Sequence, residues 1–314
     1  MAKGWISGDE SAKEMLGRAL KDRPLLMLPS PLNRVPLGVN NIVEILGPSP
    51  SAKSEILLQM AVTCILPKNR NGVEYGGMGL SVLFLDLDCR LDIFRLSQSL
   101  KLQITKAIRL HKVTNNQKDG EYEIEELNLF TECMKRFSYT RCYDSFEFLA
   151  CLKVLHYKLE KDRSMDGSAS GVRVLMIDNI GAFYWIDRVF SSLPQGNTSR
   201  KNICLQSVTE AVVQEIKKLL MLHPLLVVAT KTVTSQVKSS YSSRVSIPLY
   251  REYMPSIWQS FVTHRILVRA ADDKRKLNDR DSYLAEWLLP ALKLTDQFVV
   301  DDNGITTLMR GLVN

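Results

Sequence analysis

The chain has no C-x-x-C pair and only four histidines, so the common short-spacing zinc patterns are missing. Its six cysteines stand singly, at positions 64, 89, 133, 142, 151 and 204. The even spacing of Cys133, Cys142 and Cys151, with His156 close behind, invites a metal reading. Buried free thiols on separate elements are the favoured alternative. No apolar run is long enough to span a bilayer, because Leu219 to Ala229 is short and is interrupted by His223 and Pro224. Met1 to Lys21 is charged and helical in pattern rather than apolar, so no secretory leader is expected and an intracellular protein without a membrane segment is. No internal repeat is visible. Phenylalanine does not occur before residue 38, which matters below.

What is present is an ordinary globular composition. The 314 residues are 45% hydrophobic and 24% charged, enough for a large core. The net charge of +7 suits contact with an anion such as DNA or RNA, and suits plain surface charge equally well.

The most informative stretch is Gly47-Pro48-Ser49-Pro50-Ser51-Ala52-Lys53-Ser54. It follows the apolar run Ile42 to Leu46 and precedes a helical pattern with Ile56, Leu57, Met60, Ala61 and Cys64 on one face. Strand, tight loop, helix is the context of a phosphate-binding loop, which points backbone N–H groups and a helix N-terminus at phosphate oxygens. Lys53 would reach the terminal phosphates of ATP and the Ser54 hydroxyl would hold magnesium. Ala52 stands where the motif has glycine. If that position needs a positive φ, alanine costs about 1 kcal/mol. Pro50 also removes an N–H. Weak nucleotide binding is the expectation.

Further apolar strands follow at 81–85, 172–177 and 225–230, with helical patterns between them. They imply βαβ units and a mainly parallel sheet covered by helices on both faces. Ligands of such sheets sit at the carboxyl ends of the strands. Asp86, Asp88 and Asp178 fall there with the Gly47 loop. Asp178 is read as a second magnesium-shell residue, or alternatively as a turn cap. Asp88 is read as a carboxylate able to orient water in catalysis, or as a solvated turn residue. Phe183-Tyr184-Trp185 is either a base-stacking platform or, preferably, an aromatic plug. Lys231, Lys238, Tyr241, Arg244 and Arg251 form a basic, aromatic segment suited to single-stranded nucleic acid, or simply a solvated Ser-rich loop. The prolines at 24, 29, 31 and 36 predict an extended arm before the core. Late strands are expected at 261–270 and 297–300, with a hairpin turn at 302–304.

Taken together, these segments resemble the RecA-type recombinases, and more closely their paralogues. The residues that carry the likeness are Ile45 to Pro48 with Lys53-Ser54, then Cys64 to Lys68, Leu83 to Asp86, Ile177 to Arg188, Val228 to Thr230, Trp258 to His264 and Phe298 to Val300. The resemblance implies a RecA-like phosphate-loop ATPase core over 38–314, preceded by a helix and Pro-rich arm over 1–37, with no separate N-terminal DNA-binding domain. It implies ATP and magnesium as cofactors, and a nuclear role in homologous-recombination repair of double-strand breaks and stalled forks. It implies DNA, single-stranded or branched, and recombinase paralogue subunits as partners. Three departures from the family pattern weaken the ATP site: Ala52, Asp88 where recombinases place Glu, and Lys231-Thr232 where they carry an Asn-Gln sensor. The family's docking segment, Phe-x-x-Ala, has no counterpart in 1–37, so a subunit accepting one neighbour is expected. An active ATPase acting on DNA is the second reading. A metabolic nucleotide kinase is a third, without an Arg-rich lid to support it.

Overall fold

In the central strands, successive apolar side chains go to opposite faces of one sheet. Val82, Phe84, Val174, Met176, Leu226 and Val228 join one apolar cluster, while Leu83, Leu85, Leu175, Ile177, Leu225 and Val227 join the other. A strand buried on both faces reads as a continuous apolar run, which is why these segments lack polar alternation. The computed structural model describes residues 25–115, 122–166, 173–192, 205–233, 235–236, 249–271, 281–301 and 304–308.

Two short strands, β1 (Leu25–Leu26) and β2 (Leu37–Gly38), pair antiparallel ahead of β3 (Ile42–Gly47) and helix α1 (Lys53–Ile65). A small ribbon, β4 (Asn69–Arg70) with β5 (Val73–Glu74), leads to β6 (Ser81–Asp86). Helices α2 (Ile93–Asn115) and α3 (Tyr122–Lys135) come before β7 (Phe137–Arg141). Then follow α4 (Ser145–Asp166), β8 (Arg173–Asp178), α5 (Tyr184–Ser192), α6 (Leu205–Leu222) and β9 (Leu225–Thr232). The chain continues through β10 (Ser235–Gln236), β11 (Leu249–Tyr250), α7 (Ser256–Phe261) and β12 (His264–Ala270). It closes with β13 (Ser282–Leu289), β14 (Ala291–Asp301) and β15 (Gly304–Leu308).

The main sheet has nine strands in the order β15-β14-β13-β12-β3-β9-β8-β6-β7. From β12 to β7 every pairing is parallel. From β12 to β15 every pairing is antiparallel. The protein is therefore α/β, with a mixed, mostly parallel sheet. The meander is longer than expected: β13 is additional, and β14 starts six residues before the 297–300 segment predicted as a strand. The β14–β15 hairpin pairs Asp301 with Gly304, at the place where a turn was expected.

The described part of the N-terminal arm, 25–37, packs on the chain's own core. Leu28, Leu32, Val35 and Leu37 are buried in the cluster that includes α1 and the meander residues Trp287 and Phe298. Arg34 grips Asp296 of β14 through Nε–Oδ2 at 2.9 Å and Nη2–Oδ1 at 2.5 Å. Trp287 Nε1 donates to the Pro31 carbonyl at 3.3 Å. Proline prevents a long helix or strand here but does not prevent burial.

Candidate nucleotide site

Strands β3, β6, β8 and β9 end at one edge of the sheet, and register fixes what meets there. Gly47 lies opposite Thr232, Ile45 opposite Thr230 and Asp86 opposite Asp178. Glycine is required at 47 by space, since a Cβ there would lie 2.1 Å from the Val268 carbonyl oxygen of β12.

The loop after β3 turns into α1 with Ala52 as the residue before the helix, at φ −77°. Position 52 does not adopt a positive φ, so the strain expected of an alanine there does not arise. Lys53 folds back over the loop. Its Nζ donates to the carbonyls of Gly47 and Pro48, each at 3.0 Å, and to Ser51 Oγ at 2.8 Å. Burial pulls the Lys53 amine down to about 8, against the pull of Asp178 and Asp88.

Ser54 and Asp178, 124 positions apart in the chain, are brought together: Ser54 Oγ donates to Asp178 Oδ2 at 2.9 Å. Thr230 of β9 donates to the other carboxylate oxygen. Burial holds the Asp178 carboxyl above the usual range; the two hydroxyls oppose that, and Asp88 and Asp86 add to it. A hydroxyl and a carboxylate oxygen are the ligand types magnesium takes. The chemistry of this pair fits a metal bound through one or two protein oxygens plus phosphate and water. Lys53 and the α1 N-terminus fit a polyphosphate, provided that Lys53 exchanges its own loop carbonyls for phosphate oxygens.

Asp88 is half-buried beside this pair. Its N–H donates to the Asp178 carbonyl at 3.2 Å, and its Oδ2 accepts from Asn179 Nδ2 at 3.3 Å. Asn179 also donates to Thr232 Oγ1 at 3.1 Å, so it bridges the ends of β6 and β9. Asp86 is fully buried and accepts from the N–H groups of Arg90 and Leu91 and from the Tyr139 hydroxyl. It shapes the turn that presents Asp88.

The residues expected to bind DNA do not behave as one group. Lys231 is withdrawn from that set. Its side chain is 1% exposed, with Nζ 3.0 Å from Glu44 Oε1 and 2.7 Å from Glu252 Oε2. An ammonium held between two carboxylates inside the fold cannot reach a phosphate backbone. Arg251 is exposed. Lys238, Tyr241 and Arg244 lie outside the described residues. The aromatic run divides: Tyr184 is buried against Tyr253, with ring centroids 4.7 Å apart, while Trp185 remains 53% exposed. The three evenly spaced cysteines do not form a metal centre; among the described residues no group of three or more His, Cys, Asp or Glu side chains could hold an ion.

Sequence reasoning missed Glu44, Thr230 and Asn179. Glu44 is fully buried in the middle of β3, where it accepts from Trp258 Nε1 at 2.8 Å and Arg265 Nε at 2.6 Å as well as from Lys231. The available signal was a lone carboxylate inside an apolar strand, since an unpaired charge there would be prohibitive.

Fold and site together define an α/β protein with a lysine–serine loop and strand-end carboxylates at the carboxyl edge of a mostly parallel sheet. No family model matches the chain. It is 45% identical to the DNA repair protein XRCC2 homolog of Arabidopsis thaliana, over 98% of this chain and 91% of that protein. It is 27% identical to the mouse DNA repair protein XRCC2, over 84% of each. The chain belongs to the XRCC2 family of DNA repair proteins. Among the described residues, no helix is long and apolar enough to cross a membrane.

Proposed function

We propose that this chain is a RecA-like subunit of homologous-recombination repair, acting in the nucleus on broken DNA and stalled forks. In this reading it works by assembly: it joins recombinase paralogue subunits and DNA, and it holds magnesium–ATP weakly and with little turnover. Family membership supports the repair role. The observation that carries the nucleotide reading is the Ser54–Asp178 hydrogen bond next to a Lys53 bound to its own loop. The hydroxyl and carboxylate would share the metal. Lys53 would neutralise the terminal phosphates once released from Gly47, Pro48 and Ser51. Turnover is disfavoured because Asp88 is one methylene shorter than glutamate and is tied to Asn179.

Two measurements test the proposal. The first is magnesium–ATP binding and hydrolysis by the purified chain against Lys53→Ala. Weak, Lys53-dependent binding with almost no hydrolysis is expected; a Lys53-dependent rate of about 1 per second or faster contradicts it. The second is single-stranded DNA binding across a salt series, for wild type and for Lys238→Ala/Arg244→Ala/Arg251→Ala. Each lost phosphate contact should flatten the log–log salt slope by roughly 0.7. An unchanged slope removes this segment from the DNA site.

A further inference from the structure

Helix α5 begins just beyond the end of β8, at the same carboxyl edge of the sheet as the candidate nucleotide site. Its first turn carries two aromatics with different fates. Tyr184 is buried, and Trp185 is 53% exposed. The Trp185 ring is nevertheless held in place. It meets Tyr184 edge-on, with centroids 4.9 Å apart, and lies 5.9 Å from Tyr253 at an interplanar angle of 32°. Tyr253 is itself fixed, because its hydroxyl donates to the Thr232 carbonyl at 2.7 Å. Gly181 leaves room for that hydroxyl: a Cβ there would lie 2.3 Å from the Tyr253 oxygen.

Basic groups accompany the ring. The Arg188 guanidinium carbon is 5.7 Å from the centre of the Trp185 ring, within cation–π range. Arg251, just ahead of Tyr253 in the chain, is exposed. The neighbouring carboxylates are engaged elsewhere: Asp187 accepts from Ser145 Oγ at 3.0 Å, and Glu252 from Lys231 Nζ at 2.7 Å. Ile186 and Val189 are also exposed on α5 and widen the apolar face beside the ring. An exposed, immobilised indole with cations beside it suits single strands of any sequence, since every base has a π face. A strand of DNA brings a base to the ring and a phosphate to the cations. An apolar protein surface offers only the first kind of contact.

We propose that Trp185 is a base-stacking residue for single-stranded DNA, on the premise of the DNA binding proposed above. The chain that leaves β9 at Thr232 and returns at Tyr253 bears the phosphate contacts of that proposal, and the Tyr253–Thr232 hydrogen bond sets its two ends beside the ring. Phosphates and bases are then held by separate groups. The cations set the salt dependence, and Trp185 adds an affinity for a base that salt does not screen.

The test compares two strands of equal length and charge, an oligothymidylate and its abasic counterpart, by fluorescence anisotropy across a salt series. Wild type should bind the thymidylate strand roughly five- to hundredfold more tightly, with parallel salt slopes. Trp185→Ala should remove most of that preference and leave the slope unchanged. Trp185→Phe should keep most of it, and Trp185→Leu, apolar but without a π face, should not. Equal binding of the two strands by wild type overturns the assignment and leaves the DNA reading intact. Absence of binding to either strand overturns the DNA reading and the assignment with it. A preference that survives both Trp185→Ala and Trp185→Leu also overturns the assignment; if those variants lose a co-purifying paralogue subunit instead, the α5 face is a protein contact. The wild-type comparison needs no variant to fold.

Discussion

Replacing Lys231 with Met separates a buried structural cation from a DNA ligand. Met keeps the length and apolar bulk of the side chain and removes only its charge. The loss falls on two carboxylates unequally. Glu44 is fully buried but keeps Arg265 Nε at 2.6 Å and Trp258 Nε1 at 2.8 Å. Glu252 is 31% exposed at the side chain and keeps the N–H groups of Tyr253 and Met254, each at 3.0 Å. Removing one member of a buried ion pair costs about 3–5 kcal/mol. With two donors left on Glu44 and water within reach of Glu252, the low end applies, about 3 kcal/mol. An unfolding entropy of about 2.1 cal/mol/K per residue over 314 residues is about 0.7 kcal/mol/K, so Tm should fall by about 4 °C.

The same variant should bind DNA with an unchanged salt slope at temperatures where it is folded. A solvent-facing phosphate ligand behaves the opposite way: truncation changes stability by no more than about 0.5 kcal/mol and flattens the slope. Chemical denaturation with a DNA titration on the same samples decides the matter. Unchanged stability together with a flatter slope would refute the assignment of Lys231 to the interior.

Other perturbations of the site have definite outcomes. Gly47→Ala forces a Cβ to 2.1 Å from the Val268 carbonyl, so β3 and β12 must part; thermal melts should show a loss of about 2 kcal/mol or more, or no soluble protein. Ala52→Gly relieves no strain, because φ at 52 is −77°, so calorimetry should find the ATP affinity unchanged. With Lys53 lowered to about 8 from 10.5, the unfolded chain binds the extra proton between those values, so stability should rise with pH across that window. Lys53→Met should abolish the rise, which denaturant titrations from pH 7 to 10 measure. For Asp178 the sign reverses. A carboxyl raised by burial makes stability fall as pH climbs through the window just above 3.8, and Asp178→Asn should flatten that fall while also removing any magnesium-dependent shift in Tm.

What the sequence disclosed follows from how each strand is buried. β3, β6, β8 and β9 are covered on both sides, so their apolar runs were legible. The meander is covered on one side. In β13 only Ala285 and Trp287 are buried, and the exposed start of β14, with Lys293 and Leu294, looks like loop. The six-residue helix α7 was not anticipated: it meets the strand expected at 261–270 only at Phe261, and fewer than two turns are too short to show a helical period. Spacing along the chain located the Gly47 loop and Asp178, since a βαβ order requires their meeting. It could not show that Lys231 has its partner on a neighbouring strand. That contact depends on the parallel register of β3 and β9, which no local pattern encodes.

The candidate site and the Glu44 cluster stand on the same strands, β3 and β9, and they treat buried charge differently. Glu44 receives three donors, two of them cationic, so its charge is met inside the fold. Lys53 and Asp178 do not meet each other. The ammonium rests on carbonyl and hydroxyl oxygens, and the carboxylate rests on two hydroxyls, with further carboxylates at Asp88 and Asp86 adding to its cost. Neutral dipoles compensate a buried charge less than an opposite charge does, and both pKa directions register that deficit. A phosphate would complete Lys53 and a divalent cation would complete Asp178. Any such ligand therefore gains from relieving a cost that the folded chain already carries, and its binding should stabilise the fold with the logarithm of ligand concentration over Kd.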